Sequence, residues 1–319
     1  MLTFGPVPSR RLGRSLGINN IPPKMCSYAC VYCQLGRTPK IRADRAVLYD
    51  PARVVREVQE RVARARAAGE AVDYLTFVPD GEPTLDANLG EEIERVRRLG
   101  LPVAVITNAS LLWREDVRRD LLGADWVSLK VDAATGSVWR RVNRPHGELR
   151  FDLVLRGILD FAARYGGVLT TETMLVGGLN DYPEHLEAVA ALLAQVCPRT
   201  AYLAVPTRPP AEKWVRAPGE DVLHVAYQIL AERLGSVEFL TGYEGDAFVL
   251  TGRAEDELLS ITSVHPMRED AVASVLARAG SDWSVVQKLV EEGLLVELSY
   301  GGKRFYVRKL PAGPAWDQS

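Results

Sequence analysis

The chain has 319 residues, enough for one barrel of about 250 residues with a small appended module, or for two mid-sized domains. Apolar residues make up 47% and charged residues 25%, which excludes a disordered chain and is typical of a globular protein. No apolar run approaches the roughly 20 residues of a membrane span, and the opening MLTFGPVPSRRLG lacks the apolar core of a secretory signal. We therefore expect a cytoplasmic protein, in which clustered cysteines indicate metal or redox chemistry before disulfides.

Positive charge is concentrated near the start of the chain, although the formal net charge of the whole chain is −2. The excess surrounds a loop that holds three of the four cysteines. One interpretation is a solvated basic face, and the other is a positive field suited to an anionic cofactor or a phosphate-bearing substrate. Within residues 1–45 the only acid is Asp44, and the basic residues are Arg10, Arg11, Arg14, Lys24, Arg37, Lys40, Arg42 and Arg45.

Helix and strand patterns alternate after the cysteine loop. Asp50 followed by Pro51 is typical of a helix N-cap and first turn, and the next valines recur at helical spacing until Gly69. The predicted helices span 51–68, 87–99, 114–122, 151–164, the segment between Asp181 and Pro198, and 220–234. After a first strand ahead of the cysteine loop, the predicted strands span 73–78, 102–107, 125–132, 168–176 and 201–205.

The alternation predicts an α/β protein with a parallel sheet of about six βα units, too few for a closed eight-fold barrel. A partial (β/α)6 TIM-like barrel and a doubly wound sheet both fit that number. Strands covered by helices on both faces read as continuous apolar runs, whereas polar residues alternate along 125–132 and 168–176. One face of these strands is therefore expected to line a cavity, which favours the partial barrel with a site at the C-terminal ends of its strands.

A different pattern begins near residue 253. Three short helical segments, DELLSIT, REDAVASVLARAG and SDWSVVQKLVEEG, precede a predicted hairpin with Gly301 and Gly302 at its tip. We predict a barrel over 1–252, a small winged-helix-like domain over 253–310 and a flexible tail over 311–319. From residue 253 onward 10 acidic residues outnumber 8 basic ones, which disfavours DNA binding. We expect the module to cap the barrel or to dock a macromolecular substrate.

Cys26, Cys30 and Cys33 follow a C-x3-C-x2-C spacing within MCSYACVYC. Three thiolates this close in sequence can hold three corners of a [4Fe-4S] cube and leave the fourth iron open to another ligand. A structural zinc site usually has four ligands, but the remaining Cys197 lies far along the chain and no histidine is near the loop. A zinc site and unrelated buried or reactive cysteines remain the alternatives.

This spacing, with Tyr32 before the last cysteine and the loop placed after the first strand, resembles the signature of the radical S-adenosylmethionine (SAM) superfamily. The resemblance implies a partial (β/α)6 barrel, a [4Fe-4S] cluster on the cysteines, and S-adenosylmethionine bound to the open iron through its methionyl amine and carboxylate. It also implies reductive cleavage of SAM to a 5′-deoxyadenosyl radical, and an electron donor such as flavodoxin or ferredoxin. Tyr32 is then a cofactor-binding candidate.

Later segments resemble the cofactor contacts of that superfamily. PDGEPTL looks like its Gly-Gly-Glu element, in which Gly81 lets the backbone approach the methionyl amine and Glu82 accepts its hydrogen bonds, but Asp80 replaces the first glycine. Plain turn glycines, a core hydroxyl and a surface ion pair are the alternative interpretations. The other candidates are Asn108 in ITNAS, Ser128 in VSLKVD for the ribose or carboxylate, Arg144 in RRVNRPHG for the carboxylate, and Val176 in MLVGGLND as a backbone contact of the adenine.

The segment GPVPSRRLGRSLGINNIPPKMCSYACVYCQLGRT resembles the wyosine-synthetase-like branch of the superfamily, and the resemblance covers roughly residues 1–250. Wyosine synthetases act on a guanosine in transfer RNA and use a second cluster held by further N-terminal cysteines. Only Cys197 is left over here, so we expect a one-cluster relative. Its candidate substrate is a transfer RNA nucleoside; the alternatives are a peptide or small metabolite or, in another class, an iron–sulfur sensor whose winged helix reads DNA.

Candidate substrate residues lie on the inward faces and at the ends of the predicted strands. Lys130, with a pKa lowered by burial, could form a Schiff base or move a proton; the alternative is a salt bridge with Asp132 or Glu172. The segment VPTRPPAEKW is either a lid over the site or a stiff connection. The substrate candidates are Lys130, Asp132, Glu172, Tyr202 and Arg208.

Overall fold

The computed structural model describes residues 2–240, 253–264 and 266–309. Its main feature is an open sheet of eight strands in sequential order, with β1 and β2 antiparallel and β2 to β8 parallel. The predicted α/β partial barrel is confirmed. The strands are β1 (Thr3–Ser9), β2 (Gly13–Ile18), β3 (Tyr74–Phe77), β4 (Val103–Thr107), β5 (Trp126–Lys130), β6 (Val168–Met174), β7 (Thr200–Ala204) and β8 (Val237–Leu240).

Helices connect the parallel strands, and the predicted helices all have counterparts in the structure. As the Asp-Pro pair predicts, Asp50 caps the first helix by accepting a hydrogen bond from the Ala52 amide at 2.9 Å. The sequence analysis did not predict β1, β8 or α4, because elements of four to seven residues show little periodicity. Among the described residues, no helix is both long and apolar enough to cross a membrane. The helices are α1 (Pro51–Ala67), α2 (Leu89–Arg97), α3 (Glu115–Leu121), α4 (Gly136–Val142), α5 (Phe151–Ala162), α6 (Pro183–Val196) and α7 (Glu220–Ala231).

The two faces of the sheet have different environments. On β5, Val127 and Leu129 pack outward into the large core shared with the helices, whereas Trp126 lies on the inner face with Leu12. Lys130 is on the same inner face, at the C-terminal end of the strand, where it lines a cavity. The predicted alternation along 125–132 is therefore confirmed, and apolar side chains close the opposite end of the barrel.

The C-terminal segment forms three helices and a three-stranded sheet, as α8 (Ala254–Val264), β9 (Met267–Arg268), α9 (Glu269–Arg278), α10 (Ser284–Glu291), β10 (Leu295–Tyr300) and β11 (Lys303–Arg308). The predicted helices and hairpin are present, with Gly301 and Gly302 at positive φ in the turn, where glycine is favoured. The winged-helix assignment and the domain bounds stay predictions. The predicted tail, 311–319, lies outside the described residues.

This module packs on β1, the antiparallel edge of the barrel sheet. Arg61 of α1 forms a buried ion pair with Glu257 of α8 at 2.6 Å and also donates to the Gly5 carbonyl of β1 at 2.7 Å. At the far end of the module, the Tyr300 hydroxyl donates to the Pro206 carbonyl after β7 at 3.1 Å. The module thus covers an edge that would otherwise be open to pairing, and it reaches a loop at the rim of the cavity.

Candidate active site

The carboxyl ends of the parallel strands surround a cavity of about 310 Å³, within the range of small-molecule sites. Cys26, Cys30 and Cys33 all line this cavity, together with Gly81 and Glu82 from the loop after β3. The partial barrel predicts a site at this end of the strands. The cysteine loop and the Gly-Glu pair, about 50 residues apart in sequence, therefore belong to one site.

The backbone of the cysteine loop is tied to distant parts of the chain. On one side, the Arg42 amide donates to the Cys26 carbonyl at 2.9 Å. On the other, the Val31 amide donates at 3.0 Å to the carbonyl of Val142, the last residue of α4. The positions of the three thiols are consequently set by tertiary packing as well as by their spacing in sequence.

Two asparagine side chains donate N–H groups to cysteine sulfurs. Asn108 Nδ2 lies 3.6 Å from Cys26 Sγ, and Asn143 Nδ2 lies 3.5 Å from Cys30 Sγ. Such donors stabilise a thiolate, which is the form that binds iron. Asn108, predicted as a cofactor contact, lines the cavity as well. Asn143 was not predicted from the sequence, where only its position directly before the candidate Arg144 could have indicated a role at the site.

The donor set fits an iron–sulfur cluster better than a single metal ion. Burial, with a smaller contribution from the charge of Asp132, raises the pKa of the Cys30 thiol to about 12. The thiol therefore keeps its proton until a metal binds the sulfur and displaces it. Within the ranges 2–240, 253–264 and 266–309, no three His, Cys, Asp or Glu side chains are arranged to hold one metal ion. In a [4Fe-4S] cube each cysteine binds a different iron, so its ligands do not converge on one point.

Glu82 is a buried carboxylate on the cavity wall, surrounded by neutral donors. Its Oε1 accepts from Thr107 Oγ1 at 2.6 Å and from the Thr84 amide at 3.1 Å, and its Oε2 accepts from the Asn108 amide at 2.7 Å. Burial nevertheless raises the pKa of Glu82. Because Oε2 has a single donor, it retains a lone pair for one more hydrogen bond. The geometry therefore suits the predicted role, acceptance of a hydrogen bond from an ammonium group.

Gly81 is required by close packing rather than by a turn. A Cβ atom at this position would lie 1.8 Å from the Met25 carbonyl oxygen, which is backbone of the cysteine loop and cannot move aside. The neighbouring Asp80 is buried, and that burial raises the pKa of its carboxyl group to about 7. Asp80 thus replaces the expected first glycine with a group that is only partly ionised near neutral pH.

The opposite wall of the cavity holds a partly buried group of three charged side chains. Glu172 accepts from Arg11 Nη1 at 2.6 Å and from Lys130 Nζ at 2.9 Å. Although burial alone would raise the pKa of Glu172, the charges of Lys130 and Arg11 lower it to about 2. The sequence analysis did not single out Arg11, which appeared there only as part of the basic excess. No local pattern connects it to a strand that lies 161 residues away.

The predicted lowering of the Lys130 pKa is wrong. Burial alone would lower the pKa, but the nearby charges of Asp132 and Glu172 outweigh that effect and raise the pKa well above its ordinary value. The distance from Lys130 Nζ to Asp132 Oδ1 is 3.7 Å, so the salt bridge considered as the alternative is what the structure contains. The Schiff-base and proton-transfer roles suggested for Lys130 stay predictions, and a Schiff base would require this paired amine to lose its proton first.

Two substrate candidates lie behind the cavity wall and do not line the cavity. Asp132 is buried and accepts hydrogen bonds from the Tyr32 hydroxyl and, at 2.7 Å, from Asn143 Nδ2. Tyr202 is buried with its ring centroid 5.8 Å from the Arg11 guanidinium carbon. Tyr32 itself lines the cavity, as predicted for a cofactor contact. Asp132 and Tyr202 therefore position their neighbours and do not line the site themselves.

The loop after β7 lies over the cavity and on the cysteine loop. Arg208 lines the cavity and donates to Gln34 Oε1 at 2.7 Å, one residue beyond Cys33. The Glu212 amide donates to the Val31 carbonyl at 3.0 Å. Of the two interpretations of VPTRPPAEKW, these contacts favour a lid over a stiff connection.

Two predicted cofactor contacts, Ser128 and Arg144, do not line the cavity. Ser128 is buried on the inner face of β5, deeper than Lys130. The side chain of Val176 is buried in the outer core, and its predicted contact is through the backbone, so it stays a prediction. Arg144 lies outside, where it pairs with Glu212 at 2.5 Å. Their order after successive strands is as the resemblance implies, but order along the chain does not specify how deep in the barrel a side chain lies.

The half barrel with a three-cysteine loop at its carboxyl edge defines an iron–sulfur enzyme of the SAM-cleaving class. Residues 20–193 match the Radical SAM superfamily profile, and the chain belongs to that superfamily. Its cofactors are accordingly a [4Fe-4S] cluster and SAM. The chain is 44% identical to a UPF0026 protein of Methanocaldococcus jannaschii over 97% of this chain and 96% of that protein. A UPF0026 protein of Helicobacter pylori is 30% identical over 86% of this chain and 88% of its own length.

More distant similarities extend the comparison. A protein of Flammeovirga pacifica named S-adenosylmethionine-dependent nucleotide dehydratase is 23% identical over 56% of this chain and 64% of its own length. Among solved structures, TYW1 with a lysine-pyruvate adduct has a TM-score of 0.54 at 18% identity, covering 69% of this chain and 74% of that one. A radical SAM methyltransferase from Sphaerobacter thermophilus has a TM-score of 0.53 at 17% identity, covering 71% and 66%. These structures share the fold.

Proposed function

We propose that this enzyme uses SAM to carry out radical modification of a phosphate-bearing nucleoside or nucleotide, with a nucleoside of transfer RNA as the first candidate. The observation that carries the proposal is the excess of positive charge in the cavity that contains the cysteines. Five basic side chains line it against three acidic ones: Arg10, Arg11, Lys24, Lys130 and Arg208 against Asp80, Glu82 and Glu172.

Two parts of the cavity have separate tasks in this proposal. Cys26, Cys30 and Cys33 hold the cluster, and Gly81 with Glu82 receives the methionyl amine of SAM. When bound, the cluster and SAM supply a reductive cleavage that generates a 5′-deoxyadenosyl radical. The basic side chains bind the phosphate of the substrate, since Lys and Arg are the residues that recognise phosphate oxygens.

The relatives support a nucleotide substrate without specifying it. The Flammeovirga relative is named as a nucleotide dehydratase, and the sequence around the cysteines resembles the wyosine-synthetase-like branch. The exposed Cys197 at the end of α6 is the fourth cysteine of the chain, so the two-cluster chemistry of wyosine synthetases is not part of the proposal. A peptide or small-metabolite substrate is the alternative that the experiments below distinguish.

The C-terminal module supports a macromolecular substrate more than a DNA-reading sensor. The lysine of α10, Lys288, is paired with Glu255 at 2.9 Å and is close to Glu292, so this helix offers little positive charge to a phosphate backbone. Tyr300 contacts Pro206 beside the cavity. We propose that the winged-helix-like module holds a large substrate near the cavity opening.

The first experiment tests the enzyme class. The chain is reconstituted with iron and sulfide without oxygen, then incubated with SAM and dithionite. We expect 5′-deoxyadenosine, detected by chromatography and mass spectrometry. Intact SAM together with tight binding of a DNA duplex would instead identify the iron–sulfur sensor.

The second experiment tests the substrate class. Bulk transfer RNA should bind in a filter assay, with an affinity that falls steeply as salt is raised, because phosphate contacts release counterions. Comparison by mass spectrometry of nucleosides and metabolites from a deletion strain and its parent should then show a missing modified nucleoside. A change confined to peptides or small metabolites, with no transfer RNA binding, would contradict the nucleic-acid proposal.

A further inference from the structure

Six basic residues flank the cysteine loop on its outer side, and we call them the cationic rim. They come from two segments on either side of the loop, residues 36–44 and 136–148. These segments contain two acidic residues, Asp44 and Glu148, although the whole chain has a slight negative charge. The rim consists of Arg37, Lys40, Arg42, Arg140, Arg141 and Arg144, all exposed.

Backbone contacts place the rim directly beside the cluster ligands. Arg42 donates its amide to the Cys26 carbonyl at 2.9 Å, and Arg141 immediately precedes Val142, whose carbonyl accepts from the Val31 amide beside Cys30. Both segments of the rim are thus in direct contact with the loop that carries the cysteines. A protein bound to the rim would lie close to the cluster, as electron transfer between two proteins requires.

Much of the rim is not neutralised by the chain itself. At the end of α2, by contrast, Arg95 and the following Arg98 pair with Glu91 and Glu94 at 2.5 and 2.6 Å. In the rim, Arg37 and Arg144 share Glu212. The other four, Lys40, Arg42, Arg140 and Arg141, have no carboxylate partner within the part of the chain that the structure describes.

The four unneutralised rim residues are separate from the substrate cavity. None of them lines it, whereas a different set, including Arg10, Arg11 and Lys24, does so. A substrate that enters the cavity is therefore bound by other cations. The rim is therefore open to a macromolecule that approaches the cysteine loop from outside, and its position beside the cluster ligands favours a redox protein over the backbone of a transfer RNA.

We propose that the cationic rim is the docking surface for an acidic one-electron carrier, a small flavin or iron–sulfur protein. The inference rests on the proposed function, because a carrier is needed only if the cluster is reduced during the reaction. The carrier gives up one electron, the cluster gains it, and no atoms are exchanged. Complementary charge accelerates such encounters and makes them sensitive to salt.

The test measures binding of a labelled acidic flavodoxin, and separately of a ferredoxin, by fluorescence anisotropy without oxygen. Cytochrome c, a basic redox protein of similar size, serves as the reversed-charge probe. The cluster-loaded wild type is compared with two rim variants and with a control changed by the same charge at the opposite end of the barrel, in the last turn of α1 and just after α7. These variants are Lys40→Glu/Arg42→Glu, Arg140→Glu/Arg141→Glu and, as the control, Arg66→Glu/Arg233→Glu.

We expect each rim variant to bind flavodoxin at least about tenfold more weakly at low salt, equivalent to roughly 1.4 kcal/mol, and to gain affinity for cytochrome c. The control variant should bind flavodoxin with an affinity within about twofold of the wild type. Unchanged carrier binding in the rim variants, or no carrier binding by the wild type, overturns the proposal. Loss of transfer RNA binding with carrier binding intact overturns it too and reassigns the rim to nucleic acid. Iron content and the extent of reduction by dithionite, measured on the same samples, report separately on the proposed function.

Discussion

The two walls of the cavity each hold a buried glutamate, but the two carboxylates have opposite electrostatic environments. Glu82 accepts hydrogen bonds from neutral groups, among them Thr107 and the Asn108 amide, and burial raises its pKa. Glu172, which is slightly more exposed, lies between Arg11 and Lys130, and their charges lower its pKa to about 2 although burial alone would raise it. The difference shows that a fixed cation, rather than depth of burial, decides the charge of these groups.

The two walls therefore suit ligands of opposite charge. The Glu82 wall lacks a cation and can be completed by the ammonium group of SAM. The Glu172 wall places Arg11 and Lys130 at the cavity, where these cations can contact a negatively charged substrate group while they pair with Glu172 and Asp132. The predictions below test this division, beginning with the loop that both walls share.

The largest effect is expected for Cys30→Ala. The variant, reconstituted without oxygen, should retain little iron and form no detectable 5′-deoxyadenosine, because the cluster loses one of its three ligands. Iron and sulfide assays with product analysis provide the measurement. Cys197→Ala, an exposed cysteine outside the cavity, is the control and should keep both properties. An unchanged iron content in Cys30→Ala, or a single bound zinc in the wild type, would argue against the cluster.

The next largest effect is expected for Glu172→Gln. Removal of the carboxylate leaves Arg11 without its ion-pair partner and Lys130 with Asp132 alone, at 3.7 Å, so the free energy of unfolding should fall by about 1.5–3 kcal/mol. Urea denaturation measures the change. Glu91→Gln, which breaks the exposed pair with Arg95, is the matched control and should cost less than about 1 kcal/mol. Equal losses in the two variants would contradict the role given to burial.

The ion pairs of Glu172 should also make the stability of the fold depend on pH. The pKa of Glu172 is lower in the folded chain, about 2, than its ordinary value of 4.5, so the ion pair stabilises the fold above pH 4.5 and loses its effect as the pH falls toward 2. Just below pH 4.5 the wild type should lose up to about 1.4 kcal/mol more per pH unit than Glu172→Gln. Unfolding free energies at several acidic pH values test this, and parallel pH profiles would be evidence against the lowered pKa.

A smaller effect on stability but a specific effect on the cofactor is expected for Glu82→Gln. Loss of a charged hydrogen bond worth about 1.5–3 kcal/mol should weaken SAM binding by roughly 10- to 100-fold. Calorimetry on the cluster-loaded protein measures the affinity. Glu172→Gln is the control and should change SAM affinity by less than about threefold, because the amine is assigned to the other wall. If Glu172→Gln weakened SAM binding more than Glu82→Gln does, the methionyl amine would have to be assigned to the Glu172 wall instead.

The smallest effect concerns the N–H···S hydrogen bonds on the two sides of the cysteine loop. Asn108→Leu and Asn143→Leu should each lower the midpoint potential of the cluster, because hydrogen bonds to sulfur stabilise the reduced form. The shift is measured by redox titration with electron paramagnetic resonance, in the absence of SAM. Asn88→Leu, far from the cysteines at the start of α2, should leave the potential unchanged. A potential unchanged in both cavity variants would indicate that these contacts only support the loop.

The sequence allowed prediction of the partial barrel, most helix bounds and the three cysteines that line the cavity. These features rest on local signals, since the alternation of strands and helices and the thiol spacing can be read within short windows. Gly81 and Glu82 were placed correctly because a short motif carries them. The residues that were missed, Arg11 and Asn143, carry no such signal and become recognisable only when distant segments meet.

By itself, then, the sequence determined the class of fold and the three thiols, because short-range periodicity and spacing specify these features, and its resemblance to a known family indicated the Gly-Glu pair. Tertiary structure decided the charge of Lys130, the positions of Ser128 and Arg144 away from the cavity, and the unneutralised rim beside the cysteine loop. The physical reason is that a pKa, a salt bridge or the depth of a side chain depends on the distance to groups far away along the chain. That distance is set only when the barrel closes around its site.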